Sequence, residues 1–269
     1  MMGGYYRDKV AVVTGAASGM GLGLTEGMLA RGAAAVFMAD VKEENLNREA
    51  GRLEGQYPGR VFPALADVTK LDQVSALIGR ARDFNGRLDF VFNNAGMGMT
   101  LPTEQITFEI WRFLVELNIM GVVYGTYSAI PIMREQGSGH IVNTASAAGL
   151  FPIPYQAVYT ATKAAVLSMT ESLQYELETE GLSFTVFCPG NVATPLFAGV
   201  GVPADAVPVE EAVEIILGGV ENKELLIAFP KQIQEIDVLY REKRGEFDKL
   251  MRYMAAERKE NYRTKGTYI

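Results

Sequence analysis

Residues 10–21 read Val10-Ala11-Val12-Val13-Thr14-Gly15-Ala16-Ala17-Ser18-Gly19-Met20-Gly21, a short apolar run that passes directly into a glycine-rich turn. The run lacks polar alternation, as expected of a strand covered on both faces. Glycines at these points allow a tight turn and close approach of backbone to a pyrophosphate, whose charge is stabilised by free N–H groups at the N-terminus of the following helix. A glycine cluster also occurs in plain turns. The strand before it and the helix after it supply the context a dinucleotide site requires. Gly15, Ser18, Gly19, Met20 and Gly21 are therefore candidate phosphate contacts.

The same alternation continues outward from this unit. Strands are expected at about 9–14, 34–39, 60–65, 88–93, 139–145, 182–188 and 224–228, with helices at about 19–31, 42–54, 70–84, 103–134, 156–180 and 209–221. Repeated strand–helix–strand units joined by right-handed crossovers give an α/β fold, a doubly wound parallel sheet of about seven strands. No Pro/Gly/Ser-rich linker interrupts it, so residues 1–230 are expected to form one dinucleotide-binding and catalytic domain. Residues 231–269 read as a C-terminal helical extension, with Ile236, Tyr240, Phe247, Leu250 and Met254 at roughly helical spacing and Gly245 breaking or bending it. That tail either packs on its own subunit or forms an arm that covers the site or docks on a neighbour.

Composition narrows the chemistry. The 269 residues carry 25 Lys+Arg and 32 Asp+Glu, a formal charge of −7 that argues against nucleic acid and anionic membrane as partners. The single Cys188 cannot close an intramolecular disulfide, and with the single His140 it cannot supply a His/Cys zinc shell. No metal site is expected, and His140, at the start of the fifth strand, reads as structural. Met1–Lys9 has no apolar core of a secretory signal, and no stretch approaches the length of apolar residues a membrane span needs. A cytoplasmic enzyme or binding protein is the expectation.

Asp40 closes the second strand, where a carboxylate can accept hydrogen bonds from adenosine ribose hydroxyls and repels a 2′-phosphate. Ser18 and Val41 stand where a basic residue could have neutralised such a phosphate, which favours NAD over NADP, with Lys42 as the opposing feature. Asp67, followed by Val68 after the third strand, fits either an acceptor for the adenine amino group or a helix N-cap.

Tyr159 and Lys163 sit four apart in a helical segment and so share one face. A nearby ammonium favours phenolate and would lower the tyrosine pKa toward the range useful for proton transfer. Ser146 closes the fifth strand, at the sheet end where open α/β folds bind ligands. Together with Asn93-Asn94-Ala95-Gly96, Asn118 and Pro189-Gly190-Asn191-Val192-Ala193-Thr194, in this order, these motifs make the chain resemble the short-chain dehydrogenase/reductase family over about residues 7–200.

The resemblance implies a single Rossmann-type domain, usually a homodimer or homotetramer, with an NAD or NADP cofactor. It implies that Tyr159 is the acid/base, that Lys163 lowers its pKa and holds the nicotinamide ribose, that Ser146 orients the reacting oxygen, and that Asn118 holds a water linking Lys163 to solvent. Asn94, Ala95 and Gly96 would line the cofactor, Pro189, Gly190 and Val192 belong to the matching motif, and Thr194 resembles the residue that binds the nicotinamide carboxamide.

Three segments then frame the substrate, about 97–103, 147–158 and 190–204, and none contains Asp, Glu, Lys or Arg. Met97, Leu150, Phe151, Tyr155, Leu196 and Phe197 are the expected pocket lining. An anion buried there would lack a charged partner unless a tail Arg or Lys reached over it. The expected activity is NAD-dependent interconversion of a small, neutral, largely apolar secondary alcohol and its ketone. Alternatives are an NADP-dependent carbonyl reductase, a dehydratase or epimerase with bound cofactor, and a non-catalytic dinucleotide-binding regulator.

Overall fold

A computed structural model describes residues 4–198 and 201–268, the Leu196 side chain excepted. Its centre is a seven-stranded sheet in the order β3-β2-β1-β4-β5-β6-β7, with every pairing parallel. The strands are β1 (Val10–Thr14), β2 (Ala35–Asp40), β3 (Val61–Leu65), β4 (Phe90–Asn93), β5 (Gly139–Thr144), β6 (Leu182–Pro189) and β7 (Leu226–Phe229). The helices are α1 (Gly19–Ala30), α2 (Glu43–Gln56), α3 (Leu71–Asn85), α4 (Phe108–Val115), α5 (Gly121–Gln136), α6 (Ala147–Leu150), α7 (Ala157–Leu177), α8 (Val209–Glu221), α9 (Lys231–Glu242) and α10 (Arg244–Lys265).

Period-two alternation divides each central strand between two cores. Ala11 and Val13 of β1 pack with Leu24 and Met28 of α1, Leu53 of α2 and Ile216 of α8. Val10 and Val12 point the other way, toward Val74 and Ile78 of α3, Met133 of α5 and Leu177 of α7. Helices cover both faces, which is why these strands can be apolar throughout. The chain leaves β1 toward β2 and β3, then returns to place β4 on the opposite side of β1. That reversal opens a crevice at the carboxyl ends of β1 and β4.

Two expected helices differ from the sequence reading. The expected helix over 103–134 is a 3₁₀ turn at Thr103–Gln105, then α4, a π-helical turn at Glu116–Met120, and α5. The run Phe108–Gln136 is long and apolar enough to cross a membrane, contrary to the expectation that no stretch is. In the fold it carries core residues: Leu114, Val122, Ala129 and Met133 are buried. The tail is two helices, and the break falls at Lys243, with Gly245 inside the first turn of α10.

The amino ends of the strands hold a buried polar cluster. His140 is hydrogen-bonded through Nδ1 to the Tyr5 hydroxyl at 3.0 Å and through Nε2 to Thr185 Oγ1 at 2.9 Å. Burial pushes its pKa down to about 3. Nearby, the Asp89 carboxylate accepts from Lys9 Nζ at 3.0 Å, from the Val10 N–H at 3.0 Å and from Arg87. Burial alone would raise the Asp89 pKa, but these donors hold it below the ordinary value.

Candidate active site

The crevice floor is stitched together by Thr14, the last residue of β1. Its Oγ1 accepts from the backbone N–H groups of Asn94 and Ala95, both at 3.0 Å, and its carbonyl accepts from Asn94 Nδ2 at 2.9 Å. The glycine turn lies directly against this segment. A Cβ at Gly21 would sit 2.1 Å from the Gly15 carbonyl oxygen, and one at Gly15 would sit 3.0 Å from Ala95 Cα. Gly19, in the left-handed region at φ 54°, faces Thr194, to which a Cβ would approach within 3.2 Å. The turn thus brings the first, fourth and sixth strand ends together around one backbone cradle.

The cradle fits an anionic dinucleotide. Ser18 precedes α1 without capping it through its side chain, and the first turn of α1 has no acidic residue. Its leading N–H groups therefore have no internal competitor for a phosphate among the described residues. Met20 lies in that first turn. Asp40 sits at the rim: Oδ2 accepts from the Ala17 N–H at 3.0 Å and Oδ1 from the Lys42 N–H at 3.0 Å. Val41 beside it is exposed. Asp67 is placed in a local turn, with Oδ1 accepting from the backbone and the hydroxyl of Thr69 at 2.9 and 2.8 Å. It does not cap α3, whose N-cap is Lys70. Val68 is buried against Gly121.

The side chains expected to be reactive come from three elements. Ser146 is the N-cap of α6, where its Oγ accepts from the Ala148 N–H at 3.2 Å. Tyr159 and Lys163 lie on α7, and Asn118 occupies the π-helical turn. Asn118 is fully buried; its side chain exchanges two 2.9 Å hydrogen bonds with the backbone of Met97 and donates to Thr162 Oγ1 at 3.2 Å. With its amide occupied this way, Asn118 fixes the segment after β4 against α7. Gly96 completes the junction, since a Cβ there would lie 3.0 Å from Asn118 Oδ1 and 3.5 Å from Lys163 Nζ.

The electrostatics differ from the expectation for Tyr159. Burial raises its phenol pKa, opposed by a hydrogen bond with Ser146. Lys163 is 5.8 Å from the phenol ring centroid and donates to the Thr144 carbonyl at 2.7 Å. Burial lowers its pKa to about 8. Sharing a helix face brings the ammonium near the ring, while desolvation is the largest influence on the phenol. Cys188 lies beside this group, its thiol pushed up to about 12 by burial, which makes it a poor nucleophile.

The expected pocket lining is split. Met97 is exposed, Phe197 is half-buried in a 3₁₀ turn, and the Leu196 side chain lies outside the described residues. Leu150 and Phe151 are buried in a third core cluster with Val166, Cys188 and Phe247 of α10. Tyr155 is half-buried under Tyr268. Pro189 ends β6, Gly190 packs against Ile233 of α9, and Val192 pairs with Val207 in an isolated bridge. Sequence reading missed Arg258 and Tyr268, because their contacts join residues about a hundred positions apart.

The short chain dehydrogenase family model matches residues 9–202. An uncharacterized oxidoreductase of Staphylococcus saprophyticus is 35% identical over 190 residues, covering 71% of this chain and 81% of that protein. Among solved structures, a short-chain dehydrogenase/reductase from Burkholderia phymatum in complex with NAD superposes with a TM-score of 0.81 at 28% identity, covering 87% of this chain and 93% of the other. A short-chain dehydrogenase from Burkholderia cenocepacia in complex with NADP gives 0.79 at 29% identity, with 91% and 98% covered. Carrying that family's fold around a crevice built for a nicotinamide dinucleotide, the chain belongs to the short-chain dehydrogenase family of oxidoreductases.

Proposed function

We propose that the protein is an NAD-dependent oxidoreductase that interconverts a neutral, largely apolar secondary alcohol and its ketone, with Tyr159 as the acid/base. The observation that carries this reading is the convergence of Ser146, Tyr159 and Lys163 on the crevice that holds the glycine turn. A bound nicotinamide dinucleotide supplies the carbon that gives or takes a hydride. The turn N–H groups hold its pyrophosphate, Asp40 accepts from the adenosine ribose hydroxyls, and Thr194 meets the carboxamide. Ser146 donates a hydrogen bond to the reacting oxygen, and in the reductive direction Tyr159 passes its proton to that oxygen. Lys163, held by the Thr144 carbonyl, stabilises the phenolate left behind.

Asp40 supports NAD, because its carboxylate stands over the turn at the place where a 2′-phosphate would meet like charge. An NADP-dependent carbonyl reductase is the second reading, favoured by the exposed Lys42 next to it. The neutral substrate is supported by the uncharged framing segments. Two cations of the arm come near these segments, and both are engaged: Arg258 donates to the Pro154 carbonyl, and Arg244, beside Pro152–Tyr155, pairs with Asp248. Exposed Phe108, Phe113, Tyr127 and Tyr175 support a homo-oligomer as the working form.

Initial rates of reduced-cofactor formation test the reading. NAD with 1-phenylethanol or cyclohexanol is expected to outpace both NADP with the same alcohols and NAD with 3-hydroxybutyrate. A clear preference for the carboxylate or for NADP overturns the corresponding half of the proposal.

A further inference from the structure

The loop between α6 and α7 is clamped from outside the sheet. Tyr155, within it, carries a side chain at φ 64°, a left-handed conformation that residues other than glycine seldom adopt. Such a conformation persists only where the surroundings over-determine it. Three contacts do so here. The Leu101 N–H donates to the Tyr155 carbonyl at 2.8 Å. Arg258 Nη1 of α10 donates to the Pro154 carbonyl at 2.6 Å. The ring of Tyr268 stacks on Tyr155 with centroids 4.9 Å apart, and Tyr262 stacks on Tyr268 at 4.3 Å with the planes 2° from parallel.

Two of the three contacts come from the last turns of the chain, and both leave water to make them. Tyr268 is buried, and burial of the Arg258 guanidinium lowers its pKa. The loop also ties to the segment after β4, since Gln156 Nε2 donates to Thr100 Oγ1 at 2.9 Å. Four residues after Tyr155 comes Tyr159. The arm therefore sets the position of two of the segments that frame the crevice, without reaching the reacting groups.

We propose that Arg258 and Tyr268 are positioning residues: they hold the Pro154–Tyr155 backbone and so fix the wall of the substrate site that leads into Tyr159, setting substrate affinity while leaving the chemical step alone. This rests on reading residues 147–158 as that wall.

The test uses the full chain with Arg258→Met, which keeps the apolar stem, Tyr268→Leu, and Tyr268→Phe, which keeps the ring. Hydrogen–deuterium exchange is expected to rise about tenfold or more at Leu101 and across 151–156 in the first two variants, with β1 and β4 unchanged. With NAD and 1-phenylethanol, KM is expected to rise about fivefold or more with kcat within about twofold, the pattern of lost binding rather than lost chemistry. Tyr268→Phe should behave as wild type in both measurements, and NADH affinity, read by its fluorescence, should not move. Unchanged exchange in the loop overturns the proposal, as does a fall in kcat at constant KM. A wild-type protein that turns over neither 1-phenylethanol nor cyclohexanol would instead count against the functional reading, and the exchange result would still decide this one.

Discussion

At the amino ends of the sheet His140, Asp89, Lys9 and Tyr5 are drawn into one buried cluster; at the carboxyl ends Ser146, Tyr159 and Lys163 are drawn into another. Both ends are perturbed: His140 is pushed down to about 3 at the amino ends, while at the carboxyl ends Lys163 is lowered to about 8 and the Tyr159 phenol is raised. A shifted pKa therefore does not mark the working end of this molecule. What separates the two clusters is their company. His140 has a partner on each ring nitrogen, whereas Lys163 lies against Gly96 on the crevice that the glycine turn opens.

Substitutions should pull the two ends apart. The largest effect is expected from Tyr159→Phe, which removes the proposed proton donor and should lower kcat by about 10²–10⁴-fold with NADH affinity and urea midpoint near wild type. Comparable activity in that variant would break the assignment of the carboxyl end.

Asp89→Asn is the mirror case. It strips the charge from a carboxylate whose side chain is 6% exposed and which faces Lys9 and Arg87, so urea denaturation should show a loss of about 2–3 kcal/mol. The figure stays below that of a fully buried pair because both cations keep contact with water. Michaelis parameters should be unaffected.

The smallest effect is one of pH. His140 binds a proton more readily in the unfolded chain, near its ordinary pKa of 6.5, than in the fold, so its contribution to stability is complete above 6.5 and falls as pH drops toward 3. Between pH 7 and pH 5 this one group should cost about 2 kcal/mol of unfolding free energy. His140→Gln should reduce the difference between the unfolding free energies measured by urea titration at those two pH values by about that amount. An unaltered pH slope would show that the amino-end cluster is not what the buried imidazole makes it.

Sheet and crevice were legible in sequence because they rest on local rules. Unbroken apolar runs such as Val10–Val13 and Phe90–Phe92 announce strands covered on both faces, and each observed strand begins and ends within two residues of its expected position. Gly15, Gly19 and Gly21 mark a backbone cradle wherever they occur between strand and helix. The electrostatics of Tyr159 were not legible, because spacing of four residues reports proximity to Lys163 and says nothing of desolvation. Leu150 and Phe151 read as pocket lining from their place in the chain. Their burial against Phe247 depends on how α10 folds back, a contact no local pattern encodes.

The π-helical turn at Glu116–Met120 has a consequence for phase. One wide turn in a helix inserts an extra residue and rotates everything after it by about 100° relative to a continuous α-helix. The apolar periodicity of α4 and that of α5 are therefore out of step, and a single wheel drawn through Phe108–Gln136 smears two faces into one. The extra residue also turns Asn118 inward to Met97 while α5 keeps Ala129 and Met133 on the sheet. Across this stretch the count of residues is itself a specification. Removing any one of the five would leave composition and hydropathy almost untouched, yet force a choice between the asparagine and the core.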